Sequence, residues 1–194
     1  RLDEALEHAE AAIRTFRELG ARWELASALG DRGSIHRVAG RLEEAEADLR
    51  EAFVLCSDLN ERALVTWTAA ELARTLAARG DPSSARQVLS DPTARLADGE
   101  PGSVTTLLGA ESIVALAERD DATAQAKAEA AIEAESGPVG VPNVRAAQVW
   151  WAGRLFGAVA AGGEEALQAA RELLERHHWR QALREPDLAA DLRR

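Results

Sequence analysis

Apolar residues recur along this chain at the spacing that places them on one face of a helix. In the opening segment Leu6, Ile13 and Phe16 share such a face, with charged positions between them. A longer rhythm of 40 residues lies over this one. Gly40 and Gly80 are followed by Leu42, Glu43, Glu44, Ala45 and by Pro82, Ser83, Ser84, Ala85, and Leu2, Asp3, Glu4, Ala5 opens the chain in the same phase. A glycine turn, an acidic or capping residue and an Ala-centred helix describe the second helix of a hairpin.

The helix before each glycine repeats as well. Gly33, Ala73, Ile113 and Gly153 lie 40 apart, and three residues beyond them come His36, Leu76, Leu116 and Phe156. A small residue lets two helix axes approach closely, and a large one on the same face fills the widening gap beyond it. Ile113 breaks the small position, so its hairpin is expected to be looser or displaced.

The period predicts a helix over about 2 to 19, then pairs at about 22 to 39 with 42 to 58 and 61 to 79 with 82 to 90. Further pairs follow at about 103 to 119 with 121 to 135 and 143 to 161 with 164 to 179, with a tail helix after Pro186. Pro92 should cut the fifth helix short, because proline removes a backbone donor and clashes with the preceding turn. The stretch from Asp98 to Gly102, and Ser136 to Asn143 with its prolines and glycines, read as irregular connections. Neither is long enough for a domain linker. The expectation is one all-α domain over 1–194, with repeats near 1–20 (partial), 21–59, 60–99, 100–140 and 141–180 and a tail over 181–194.

This pattern resembles the tetratricopeptide repeat, whose first helix carries a small residue at its centre and whose second carries Ala near its start. Leu29, Gly33 and His36 with Gly40, Leu42, Ala45, Leu49 and Ala52 form the best repeat, and Val149, Ala152, Gly153 and Phe156 with Ala166 the next. The resemblance implies a right-handed solenoid of antiparallel helix hairpins. The chain departs from the family in its longer repeat, in Pro92 where Ala12 and Ala52 set the phase, and in a longer turn at Ala161, Gly162, Gly163. The first helix lacks a partner in this scheme, so Leu6, Ile13 and Phe16 are expected to need cover from an upstream helix or from a second copy through a homodimer contact. Arg1 falls in mid-pattern, as in a piece of a longer protein.

Composition narrows the functional classes. The chain is 46% hydrophobic and only 4% aromatic, with strong helix formers dominant, which favours a folded all-helical protein. A net charge of −10 argues against direct nucleic-acid binding or an anionic membrane surface. Only Arg176, His177, His178, Trp179, Arg180 runs basic, and cations near a helix C-terminus explain it. The lone Cys56 excludes an internal disulfide and a cysteine metal cluster, fits a reducing, cytoplasmic setting, and reads as a buried structural thiol. No stretch reaches the roughly 18 to 20 apolar residues of a membrane span.

Chemistry is hard to place on this sequence. The one lysine, Lys127, lies in AQAKAEA and not in a phosphate loop. His8, His36, His177 and His178 lack the spacing of ligands on one helix face. Carboxylate pairs such as Glu43 with Glu44, Asp120 with Asp121 and Glu164 with Glu165 sit at helix starts, where the dipole accounts for them. No enzyme, cofactor or metal site is expected.

Binding remains. In the family that this chain resembles, first helices of successive hairpins line a groove that holds a peptide or a partner helix. Ser34, Arg74 and Arg154 share one inward position there, with Arg37, Trp67 and Trp150 nearby. Trp and Arg dominate binding energy at interface centres, and a cationic, aromatic groove fits an acidic protein or peptide partner. A structural reading stands beside it, in which each Arg pairs with an acid of the next repeat and each Trp packs internally. Gly30 and Ser34 replace the lysine and asparagine of the family's carboxylate clamp, so chaperone tails are not the expected ligand. The texture of RELGARWELASALGDRGSIHRVAGRLEEAEADLREAF also resembles the C-terminal repeats of large bacterial transcriptional regulators of the STAND, LuxR or SARP-like, actinobacterial type. That resemblance implies a sensor or scaffold role with a protein or small-molecule effector. A free-standing adaptor is the alternative, and a pocket near Pro92 and Ile113, lined by Leu107, Leu108 and Val114, is where an effector would sit.

Overall fold

The computed structural model describes residues 2–97 and 101–135. Among them are seven α-helices, α1 (Leu2–Leu19), α2 (Arg22–Val38), α3 (Leu42–Leu59), α4 (Arg62–Ala78), α5 (Pro82–Ser90), α6 (Pro101–Ala117) and α7 (Asp121–Glu135), with a short 3-10 segment at Pro92–Arg95. Each helix packs on the next in a TPR-like succession of hairpins, and α4 also packs on α6.

The turns explain the spacing. Helices α1 to α4 and α6 end in the same double bond, in which the residue after the turn donates five residues back and the turn residue three back. Ala21 N–H reaches Phe16 O at 3.0 Å and Gly20 N–H reaches Arg17 O at 3.4 Å. The pattern returns as Arg41 to His36, Glu61 to Cys56, Asp81 to Leu76 and Asp120 to Ala115, at 2.9 to 3.1 Å. Such a turn needs a left-handed residue, and Gly20, Gly40 and Gly80 supply it at φ of 65°, 75° and 85°, Asn60 at 56° and Arg119 at 62°. Helix starts then follow two residues later.

Those positions correct the expected register. The turn that matches Gly80 one repeat later falls at Arg119, an interval of 39 residues, whereas Gly20 to Asn60 and Gly40 to Gly80 are each 40. The small residue in phase with Gly33 and Ala73 is therefore Ser112, and Ile113 faces the main core instead. Ser112 is 1% exposed and its Oγ donates to Ala124 O at 2.8 Å, so α6 sits close against α7. The expected loosening is not found, because Ile113 turns toward the main cluster while Ser112 occupies the close contact with α7.

Three apolar clusters succeed one another along the stack. Ile13, Leu25, Leu29 and Ala52 join α1 to α3, with Phe16 packed against them. Ala26, Cys56 and Val65 come next, covered by Phe53 and Leu96. Leu49, Leu72, Ala73, Leu76, Leu89, Leu107 and Val114 then form the main cluster of the described residues. Leu6 is 5% and Ile13 2% exposed, so these two find their cover within the chain, where an upstream helix or a second copy was expected, while Phe16 stays half-buried. The exposed positions of α1 are mostly polar, among them Glu4, Glu7, Glu10, Arg14 and Glu18.

Pro92 acts as expected. Helix α5 stops at Ser90, Asp91 turns extended at ψ 127°, and its carboxylate accepts the Thr93 N–H at 2.8 Å. The chain then crosses back over α4, where Ala94 and Ala97 are fully buried and Arg62 Nε donates to Leu96 O at 2.7 Å. Cys56 lies buried beneath this crossing beside Thr68 Oγ1 at 3.9 Å, and burial pushes its thiol up from the ordinary range. No described helix is long and apolar enough to cross a membrane.

Candidate functional site: the seam between α2 and α4

Helix α4 is the centre of the described structure, buried from Val65 to Ala77 with only Trp67 partly open. Its sequence is apolar and small-residue-rich, as a helix enclosed on every side must be, with Glu71 and Arg74 as the charged exceptions within that span. Trp67, Glu71 and Arg74 are four and three residues apart and so share one stripe. Gly30, Ser34 and Arg37 repeat that spacing on α2 opposite them.

Each pair across the seam has a physical cause. A Cβ on Gly30 would stand 2.5 Å from Cζ3 of Trp67, so only glycine lets the indole lie against the α2 backbone. One turn further, Glu71 Oε2 accepts Ser34 Oγ at 3.0 Å and both Nε and Nη2 of Arg37 at 3.2 and 3.0 Å. Arg74 donates to the other oxygen of Glu71, and its Nη2 reaches Thr106 O on α6 at 3.1 Å. Glu71 is 5% exposed and Arg74 7%. Burial alone would push the Glu71 carboxyl up, but the Arg74 and Arg37 charges and the Ser34 hydroxyl override it and hold it down at about 2.

The structure thus brings together four of the residues singled out from the sequence. Ser34, Arg37 and Arg74 converge on one carboxylate, and Trp67 lies one turn before it on the same stripe. Ser34, Arg37 and Trp67 are partly exposed, whereas Arg74 is buried. Trp150 and Arg154 lie outside the described residues. Glu71 itself was not read from the sequence. It could have been found, since a lone acid amid LVTWTAA and LARTLAA requires buried cations, and it stands 34 residues after Arg37 as Glu51 does after Arg17.

Other candidates take structural places. His36 is 9% exposed with Nε2 at 3.9 Å from Asp48 Oδ2, and Arg32 holds both oxygens of Asp48 at 2.7 and 2.6 Å. Asp120 caps α7 through the Thr123 N–H at 3.1 Å, and the Thr123 hydroxyl together with that N–H holds its carboxyl below the ordinary range. Lys127 pairs with Glu111 at 2.6 Å. Leu107 and Val114, expected to line a pocket, are each 2% exposed and pack into the main cluster, because the one-residue shift in register turns that face inward. No group of three or more His, Cys, Asp or Glu that could hold a metal ion occurs among the described residues.

No curated protein and no solved structure matches the chain. Residues 24–91, from the first turn of α2 to the bend after α5, match the family model of the tetratricopeptide repeat, a helical-repeat unit that generally mediates protein–protein interaction.

Proposed function

We propose that this chain is a non-catalytic protein-binding module, the sensor or scaffold portion of a larger bacterial transcriptional regulator acting in the cytoplasm, and that a partner segment docks along the α2/α4 seam. The observation that carries this reading is the seam itself. Trp67 and Arg37, the residue types that anchor interfaces, stand partly exposed on the first helices of two successive hairpins. Two arginines around one carboxylate leave the cluster with a charge of +1 on a chain of −10, which favours an acidic segment over a basic one. Arg74 serves through Glu71, holding the carboxylate that orients Arg37. The regulator context draws on the resemblance of the α1 to α3 sequence to regulator repeats.

A photoreactive residue at position 67 in the intact protein identifies the partner in the native host, and the purified pair can then be titrated. Trp67→Ala and Arg37→Glu should each weaken the complex by about tenfold or more, the scale of an interface anchor. Affinity unchanged in both variants would remove the seam from the interface.

A further inference from the structure

A second feature of the fold lies on the other side of α4. A cavity of about 360 Å³ lies between α3, α4 and α5 and ends at the bend. Leu72 and Leu76 of α4 form its apolar base, with Val54 of α3 and Val88 of α5 beside them. Its volume falls at the lower end of the range of small-molecule sites, roughly 300 to 1,000 Å³. Val54 is 58% exposed, an apolar side chain left open to water beside an apolar base. The chain leaves the path of α5 at Asp91, where the cavity ends, and Leu96 beyond the bend packs beside Cys56 and Val65.

Two charges of opposite sign line this space, Arg50 on α3 and Asp91 at the bend. A wholly apolar guest would strip water from both without replacing it, and a guest of one sign would meet repulsion on one side. Both groups can accept a new partner. Arg50 gives Nε and Nη2 to Glu46 Oε1 at 2.9 and 2.6 Å, yet Glu46 is also paired with Arg79 and stays compensated if Arg50 swings away. Asp91 uses Oδ1 for the Thr93 N–H, and a carboxylate has lone pairs on its second oxygen as well.

We propose that this bend cavity binds a small apolar zwitterion, of the class of hydrophobic amino acids and dipeptides, with its carboxylate on Arg50, its ammonium on Asp91 and its side chain on Leu72 and Leu76. The site is separate from the α2/α4 seam and does not depend on it. By tying α3 to the bend, the ligand stabilises the folded chain in proportion to its occupancy.

The test uses the full chain with leucyl-leucine and L-leucine as probes and N-acetyl-leucinamide as their uncharged counterpart, followed by calorimetric titration and thermal unfolding. Leucyl-leucine should bind and raise the unfolding midpoint, and N-acetyl-leucinamide should do neither. Arg50→Gln alters an exposed side chain and should fold normally by circular dichroism while binding at least about tenfold more weakly. Val88→Trp should fill the cavity and abolish binding. No binding by either zwitterion, equal binding by the uncharged counterpart, or binding untouched by Arg50→Gln would each overturn the proposal.

Discussion

The two sides of α4 are built on different physics. Toward α2 the helix presents Trp67, Glu71 and Arg74, and the contact is held by a carboxylate with donors from both helices. Toward α5 and α6 it presents Leu72, Ala73 and Leu76, which pack with Ala85, Leu89, Leu107 and Val114 in the main cluster. An apolar contact tolerates repacking so long as volume is kept. A carboxylate that must meet three side chains at hydrogen-bond distance tolerates only one sliding position of α2 on α4. The seam proposed to bind a partner is thus the one whose register is fixed by polar geometry, and its strength should depend on pH where that of the apolar side does not.

Removing Glu71 should produce the largest effect. Glu71→Ala removes the buried carboxylate that Arg37, Arg74 and Ser34 share, a loss of about 3 to 5 kcal/mol. The carboxyl titrates at about 2 in the folded chain against an ordinary value of 4.5, so its contribution is present above pH 4.5 and disappears as pH falls from there toward 2. Denaturant unfolding should therefore show a wide gap between wild type and Glu71→Ala at neutral pH that narrows at about pH 3. Leu107→Ala, on the apolar side, is the control. It should cost about 2 to 5 kcal/mol for the lost burial and cavity, with no such narrowing. Equal behaviour of the two variants across pH would show that the seam is not held by charge.

A glycine probes how close the stack is. A Cβ on Gly33 would lie 2.6 Å from Cγ of Leu49 and 3.2 Å from the carbonyl oxygen of Ala45, where a side chain can shift but a backbone cannot. Gly33→Ala should destabilise by about 1 to 3 kcal/mol despite its gain in helix propensity. A stabilised variant, read from the denaturation midpoint, would mean that α2 and α3 can separate without loss.

Much of this was legible in the sequence because local turn chemistry sets the helix lengths. Gly20, Gly40 and Gly80 each mark a left-handed turn, and the predicted bounds of α1, α5 and α7 coincide with those found. Asn60 and Arg119 do the same work without being glycine, and Arg119 falls one residue early. That single residue moved Ser112 into the tight position and turned Leu107 and Val114 from expected pocket lining into core. The cover over Ile13 is likewise invisible in the pattern, since Leu29 and Ala52 already belong to the hairpin that follows and Leu25 carries no repeat signal. Of the candidate site, the positions of Ser34, Arg37, Trp67 and Arg74 followed from phase alone, but the acid that gathers three of them did not. Periodicity reports which residues share a face, and it is silent on which oppositely charged group fills the space between two faces.

The smallest expected effect gives the sharpest form of the comparison, because the chain contains the same ion pair in two settings. Arg17 with Glu51 and Arg37 with Glu71 both span 34 residues and both join helices that are next but one in sequence. The first pair is tight at 2.6 Å, but its side chains are 54% and 45% exposed, whereas in the second they are 29% and 7%. Water screens the first pair and ordering two long side chains offsets its gain, so a double-mutant cycle should return a coupling of about 0.5 kcal/mol or less that vanishes in high salt. The cycle for Arg37 and Glu71 should give a larger value that salt changes little, since Glu71 is enclosed and Ser34 and Arg74 hold it in place. Equal couplings would mean that burial adds nothing to the polar seam. In that case the apolar clusters alone would fix how α2 sits on α4, and Arg37 would be no better oriented toward a partner than any surface arginine.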